Sequence, residues 1–211
     1  MTSPVVLVAD DHPIFREALK IAVMRAAPGA LILEAGQLGE AAEAARRTER
    51  LDLILLDLRM PGAEGFSGVA LLHAERPETP ILVISSADQA DVAARARVYG
   101  AIGFLPKTAD LGSIENAIRQ ALRGEREPEP EVERDPAIVE MAERIAKLTP
   151  AELRVLVGVL AGRLNKQIAF DLGISEATVK GHMTVIMRKM NVQNRTQAVL
   201  AARALDVALA D

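Results

Sequence analysis

Val5-Val6-Leu7-Val8-Ala9-Asp10-Asp11-His12-Pro13 runs five aliphatic residues straight into two carboxylates. Five such residues are too few for a buried helix and read as a strand covered on both faces. Leu31–Glu34, Leu53–Asp57, Ile81–Ser85 and Ile102–Leu105 repeat the pattern. Between them apolar residues recur at helical spacing, as in Ile14, Ala18, Leu19, Ala22 and Val23, or Leu111, Ile114, Ala117, Ile118 and Ala121. Five strand–helix repeats predict an α/β domain with a five-stranded, doubly wound parallel sheet. Its chemistry belongs at the carboxyl ends of the strands.

Those ends carry a pattern. Asp10 and Asp11 close the first strand and Asp57 the third, so three carboxylates should meet in one crevice. Carboxylates that crowd together repel, and a hard divalent cation resolves the repulsion; Mg²⁺ prefers carboxylates, water and a phosphate oxygen. Ser85 ends the fourth strand and Lys107 follows the fifth, adding a hydroxyl and an ammonium. Taken singly, each is a cap, a turn residue or a solvated charge. Together, at four strand ends of one sheet, they describe a phosphoryl site with Asp as nucleophile and metal and Lys as charge neutralisers.

Outward from the sheet the composition changes. Glu125 to Pro136 alternates acids with prolines and has almost nothing to bury, so it reads as an extended linker. The expected division is 3–123 for the sheet domain, 124–146 for the linker with a short helix, and 147–211 for a small all-α domain. In the last, Thr149-Pro150-Ala151-Glu152 is a helix start with a capping residue, a first-turn proline and a glutamate three residues after the cap. Asn165–Leu172, Glu176–Met190 and Arg195–Leu209 continue as helices, with Gly173 stopping the first of these and Ser175 capping the second. That is helix-turn-helix geometry. Val179, Ile186 and Met190 face inward, leaving Lys180, Thr184 and Arg188 for a groove.

Charge divides at the same place. The net charge is −4, but residues 147–211 hold nine basic and five acidic groups, +4, which leaves −8 for the rest. An acidic front and a basic back imply different partners, and predict that the front domain hinders DNA binding partly by covering the Lys180 face. There is no cysteine, which excludes disulfides, thiolate metal sites and a cysteine nucleophile. Aromatic residues make up 2%, too few for base stacking on single strands. No apolar run approaches a membrane helix, so a cytoplasmic protein is expected.

The strings Val8-Ala9-Asp10-Asp11-His12-Pro13, Leu55-Leu56-Asp57-Leu58-Arg59-Met60-Pro61-Gly62, Val83-Ile84-Ser85-Ser86 and Gly103-Phe104-Leu105-Pro106-Lys107 resemble the two-component response regulator receiver. The resemblance covers residues 3–123. It implies that Asp57 is the phosphoacceptor and that Asp10, Asp11 and Asp57 bind Mg²⁺ with the backbone carbonyl of Arg59. It further implies that Ser85 and Lys107 engage the phosphoryl group and that Phe104 is a rotating switch. Two features depart from the family: Thr108 rather than proline follows Lys107, and Phe104 stands where tyrosine is more usual.

Residues 147–209 resemble the LuxR-type DNA-binding domain through Leu148 to Glu152, Gly162 to Ala169, Leu172 to Ser175 and Thr178 to His182. With a receiver, this is similar to the NarL/FixJ class of response regulator. The resemblance implies a transcription factor, not an enzyme, phosphorylated by a sensor histidine kinase and binding duplex DNA as a homodimer. Its helix-turn-helix is 165–184, with Lys180, Gly181 and Thr184 near bases or phosphates and Lys166 and Thr178 on the backbone. Gly181 departs from the larger residue often found there and costs the helix on the order of 1 kcal/mol. Two rivals are a Mg²⁺-dependent aspartyl-phosphate hydrolase, which leaves the basic domain unexplained, and a receiver that takes no phosphate, which leaves Asp57 and Lys107 unexplained.

Overall fold

Five strands, β1 (Val5–Ala9), β2 (Leu31–Ala35), β3 (Leu53–Leu56), β4 (Ile81–Ser85) and β5 (Gly103–Pro106), form one sheet in the order β2-β1-β3-β4-β5. Every pairing is parallel. A computed structural model of the chain describes residues 3–63, 65–86, 90–125 and 136–204. The chain winds one way from β1 to β2 and the other way from β3 onward, so the topological switch lies between β1 and β3. That is where a ligand crevice opens in such sheets.

Alternation along the strands divides the core. Val6, Val8, Leu53, Leu55, Leu82 and Ile84 face α1 (Pro13–Ala26) and α5 (Leu111–Leu122). Leu7, Ile54, Leu56, Ile81 and Val83 face α2 (Leu38–Arg47), α3 (Ser67–Glu75) and α4 (Ala90–Val98). Burial on both faces holds for β3 and β4 but not for β2, where Leu31 is 57% exposed. β2 is an edge strand, and one of its flanks has no neighbour. Ile14 belongs to the expected helix α1 but sits in its first turn and is 88% exposed, while Leu19, Ala22 and Val23 further along are buried.

Residues 126–135 of the expected acidic linker lie outside the described residues, and its last residue, Pro136, opens a helix. From there follow α6 (Pro136–Ala146), α7 (Pro150–Leu160), α8 (Asn165–Leu172), α9 (Glu176–Met190) and α10 (Arg195–Ala204). The expected capping box forms: Thr149 Oγ1 accepts from the Glu152 N–H at 3.3 Å, and Glu152 Oε2 accepts from the Thr149 N–H at 2.8 Å. Gly173 adopts a left-handed φ of 65° after α8, and Ser175 Oγ accepts from the Thr178 N–H at the start of α9. α6 packs against α3 and α4 on one side and α9 and α10 on the other. Among the described residues no helix is long and apolar enough to cross a membrane.

Candidate functional site

Parallel pairing brings the predicted carboxylates together. Ala9 lies beside Leu56 in register, and the Asp57 N–H donates to the Ala9 carbonyl at 2.9 Å, so Asp10 and Asp57 leave adjacent strand ends side by side. Ligand atoms of Asp10, Asp11, His12 and Asp57 all lie within 4.8 Å of one another. Both aspartates that flank the switch point are buried, with side chains 1% exposed. Lys107 follows β5, and its N–H donates to the Ser85 carbonyl at 2.7 Å, which directs the side chain back over the end of β4. Its Nζ lies 2.7 Å from Asp57 Oδ2 and 2.7 Å from Asp10 Oδ2.

Three carboxylates against one ammonium leave the crevice negative. Burial pushes the Lys107 ammonium down, but its bonds to Asp10 and Asp57 outweigh that and hold it above its usual range. The donors are hard oxygens from three side chains, the set that suits Mg²⁺. Mg²⁺ therefore fits these residues. Asp57 Oδ1 is oriented by the Arg59 N–H at 3.1 Å, which also brings the Arg59 backbone to the same crevice. Ser85 is fully buried at the end of β4, and Phe104 is half-buried on β5 beside Val83.

Three neighbours were not singled out from sequence. The His12 N–H donates to Asp10 Oδ1 at 2.8 Å and His12 Nδ1 lies 2.7 Å from Asp11 Oδ1. Arg16 donates to the Asp10 carbonyl at 2.6 Å, and the Phe15 ring lies under Lys107 at 4.8 Å. Their only signal was adjacency to Asp10-Asp11. The first turn of α1 folds back over the strand end it leaves.

The helical half presents a different surface. Val179, Met183, Ile186 and Met190 form the buried side of α9; Met183 joins the three expected residues and completes a stripe at helical spacing. Lys166, Thr178, Lys180, Gly181, Thr184 and Arg188 are all exposed. The Thr184 hydroxyl donates to the Lys180 carbonyl at 3.1 Å, and the Thr178 hydroxyl lies 2.8 Å from Ser175 Oγ, so both are partly engaged by their own helix. Lys180 is 66% exposed and pairs only loosely with Glu176 at 3.2 Å.

Among the described residues the acidic front does not cover this face, contrary to the expectation from charge. α3 docks on α7 instead, with an ion pair between Glu75 and Arg154. Opposite charges do meet between the halves, but at α7, while Lys180 on α9 stays exposed.

The receiver-like part matches a family model described as the response regulator receiver domain over residues 6–119. The helical part matches bacterial regulatory proteins of the luxR family over residues 146–202. The glycerol metabolism activator of Pseudomonas putida is 38% identical over 211 residues, covering 95% of this chain and 96% of its own. The nitrate/nitrite response regulator protein NarP of Escherichia coli (strain K12) is 32% identical over 200 residues, 92% of each chain. The solved structure of the response regulator StyR is 32% identical, covers 96% of this chain and all of its own, and superposes with a TM-score of 0.51. Sheet, acidic crevice, helix-turn-helix and near full-length similarity agree: the chain belongs to the NarL/FixJ-type response regulators, phosphorylation-dependent transcription regulators that join a receiver to a LuxR-type DNA-binding domain.

Proposed function

We propose that Asp57 accepts a phosphoryl group from the phosphohistidine of a sensor histidine kinase, and that the added charge controls homodimer formation and duplex DNA binding in the cytoplasm. The observation that carries this reading is the Lys107 ammonium, 2.7 Å from both Asp57 and Asp10 in a crevice with excess negative charge. Asp10, Asp11, Asp57 and the Arg59 carbonyl would hold Mg²⁺, which when bound neutralises charge on the transferring phosphoryl oxygens. The Arg59 N–H holds one Asp57 oxygen in place while the other attacks phosphorus, and the bond to the donor imidazole nitrogen breaks. Once Asp57 carries the acyl phosphate, Lys107 follows the new negative charge, roughly −1.5 to −2, onto the phosphoryl oxygens. Ser85 donates its hydroxyl to the same group, and Phe104 repacks behind it.

Helix α6 supports a path from this site to DNA. It packs on α3 and α4, and its Arg144 donates to the Met190 carbonyl at the end of α9 at 3.0 Å. On the DNA side Lys180, Gly181, Thr184 and Arg188 face the major groove, and Lys166 and Thr178 meet the backbone. A Mg²⁺-dependent aspartyl-phosphate hydrolase would use the same crevice, but it leaves the exposed basic helix-turn-helix without a role.

Intact-mass measurement after incubation with Mg²⁺ and acetyl phosphate tests the reading. The wild type should gain one phosphoryl and Asp57→Asn none. Equal labelling of that variant, or sustained turnover of phosphate monoesters, sinks it.

A further inference from the structure

The glycines of the DNA-binding half separate into those the fold needs and one it does not. Gly162 and Gly173 turn the chain with φ of 72° and 65°, where a side chain is strained. At Gly158 a Cβ would lie 2.9 Å from Ile168 Cγ1, so glycine there lets α7 and α8 pack closely. Gly181 has neither reason. It lies within α9 without a positive φ, is exposed, and a Cβ built on it meets nothing within 4 Å. Alanine would fit with room to spare and is the better helix former. The fold alone therefore favours alanine at this position.

The surroundings indicate what the bare backbone is for. Gly181 lies between Lys180 and Thr184 on the exposed side of α9, opposite the stripe of Val179, Met183 and Ile186. A helix can rest closer to a partner where it carries no Cβ, just as α7 does against Ile168. We infer that Gly181 is a specificity-determining residue through which the α9 backbone seats directly against base-pair edges of the duplex, closer than any side chain at 181 would allow. The inference rests on the proposal that α9 enters the groove. At that contact the helix reads the local shape and edge of the groove, and Lys180 and Thr184, one turn apart beside Gly181, reach bases because the backbone next to them lies deep.

The test uses the full chain phosphorylated with acetyl phosphate, a duplex that the wild type enriches from a random pool, and a random duplex of equal length. Gly181→Ala should raise the melting temperature of the DNA-binding half by a few degrees, since it improves the helix. The same change should weaken binding to the selected duplex about tenfold, or about 1.4 kcal/mol. Binding to the random duplex, held by phosphates, should change less than twofold, and Gly181→Val should lose more on the selected duplex than Gly181→Ala. A melting temperature that rises with no loss on the selected duplex overturns the assignment of Gly181 alone. A wild type that enriches no sequence overturns the DNA-binding reading, and this inference with it.

Discussion

Lys107 and Lys180 are both lysines beside carboxylates, yet they lie at opposite ends of the range of burial. The Lys107 side chain is 15% exposed and touches two carboxylates that water hardly reaches. Lys180 is 66% exposed and shares a loose helical pair with Glu176. In the crevice the dielectric is low and each charge depends on its partners, so removing one leaves the others without compensation. On α9 water screens the pair, and the ammonium stays available to a phosphate or a base. The same side chain is thus held by its partners inside the protein in one region and open to a new partner in the other. Substitutions should therefore register in different measurements.

The largest effect belongs to the buried lysine. Lys107→Ala should cost about 3–5 kcal/mol of receiver stability in metal-free buffer, as when one partner of a buried pair is removed. Mg²⁺ should restore more stability to this variant than to the wild type, because the cation supplies the missing positive charge. Chemical denaturation with and without Mg²⁺ measures both; a variant as stable as the wild type in chelator would erase the contrast with Lys180. The pH dependence has a definite sign. The ammonium is held above its usual 10.5 in the folded chain, so this contact contributes fully below that pH. Its contribution is lost as pH climbs through the raised value.

Next comes the exposed lysine. Lys180→Ala should leave stability within about 0.5 kcal/mol of the wild type. It should cost about 1–3 kcal/mol on the selected duplex and relax its sequence preference. Lys166→Ala should weaken binding to all sequences alike and flatten the salt dependence. Salt titrations on selected and random duplexes separate the two, and a Lys180 variant with wild-type selectivity would remove α9 from the groove.

A smaller effect sits between these extremes, at Glu152. It is 6% exposed, caps α7 through the Thr149 N–H and lies 2.7 Å from Lys189 Nζ. Burial pushes its carboxyl up, but Lys189 and the Thr149 N–H prevail and hold it below its usual 4.5. Its contribution is present above pH 4.5 and is lost as pH falls through the lowered value. Between pH 5 and 3, about the range of an ordinary carboxyl, unfolding of the helical half should depend less steeply on pH in Glu152→Gln. Identical slopes in variant and wild type would show that the pair does not couple to folding.

The smallest effect is expected at the seam between the regions. Arg154→Ala breaks the ion pair with Glu75; the Arg154 side chain is a quarter exposed and water can reach Glu75 once it is gone, so the cost should be about 1 kcal/mol. The substitution should nonetheless broaden the distribution of distances between spin labels placed on the two halves. An unchanged distribution would show that α6, not α7, holds them together.

Much of the crevice was legible because the signals are local. A short branched run makes a strand, strands in this alternation make a parallel sheet, and residues just past the strands must gather at one edge. Asp10, Asp57, Ser85 and Lys107 followed from that reasoning without knowledge of any contact. Local signals also set the helix boundaries at Thr149, Gly173 and Ser175, because capping acts over three or four residues. The expectation that failed is one where position in the whole molecule matters: Leu31 lies in a strand as its composition indicates, but that strand is at the edge of the sheet and is not buried on both faces.

The sequence by itself determined the sheet, the acidic strand ends, the helix-turn-helix and the charge asymmetry between the two halves. These depend on periodicity, propensity and composition, which short segments carry alone. Only the tertiary structure decided that Lys107 bridges two carboxylates at once, that Met183 completes the buried stripe of α9, and that α3 meets α7 while Lys180 stays open to water. Net charge says that two halves attract but not where they touch. The point of contact is chosen by the shape and pairing of particular surfaces, and those exist only once both halves are folded.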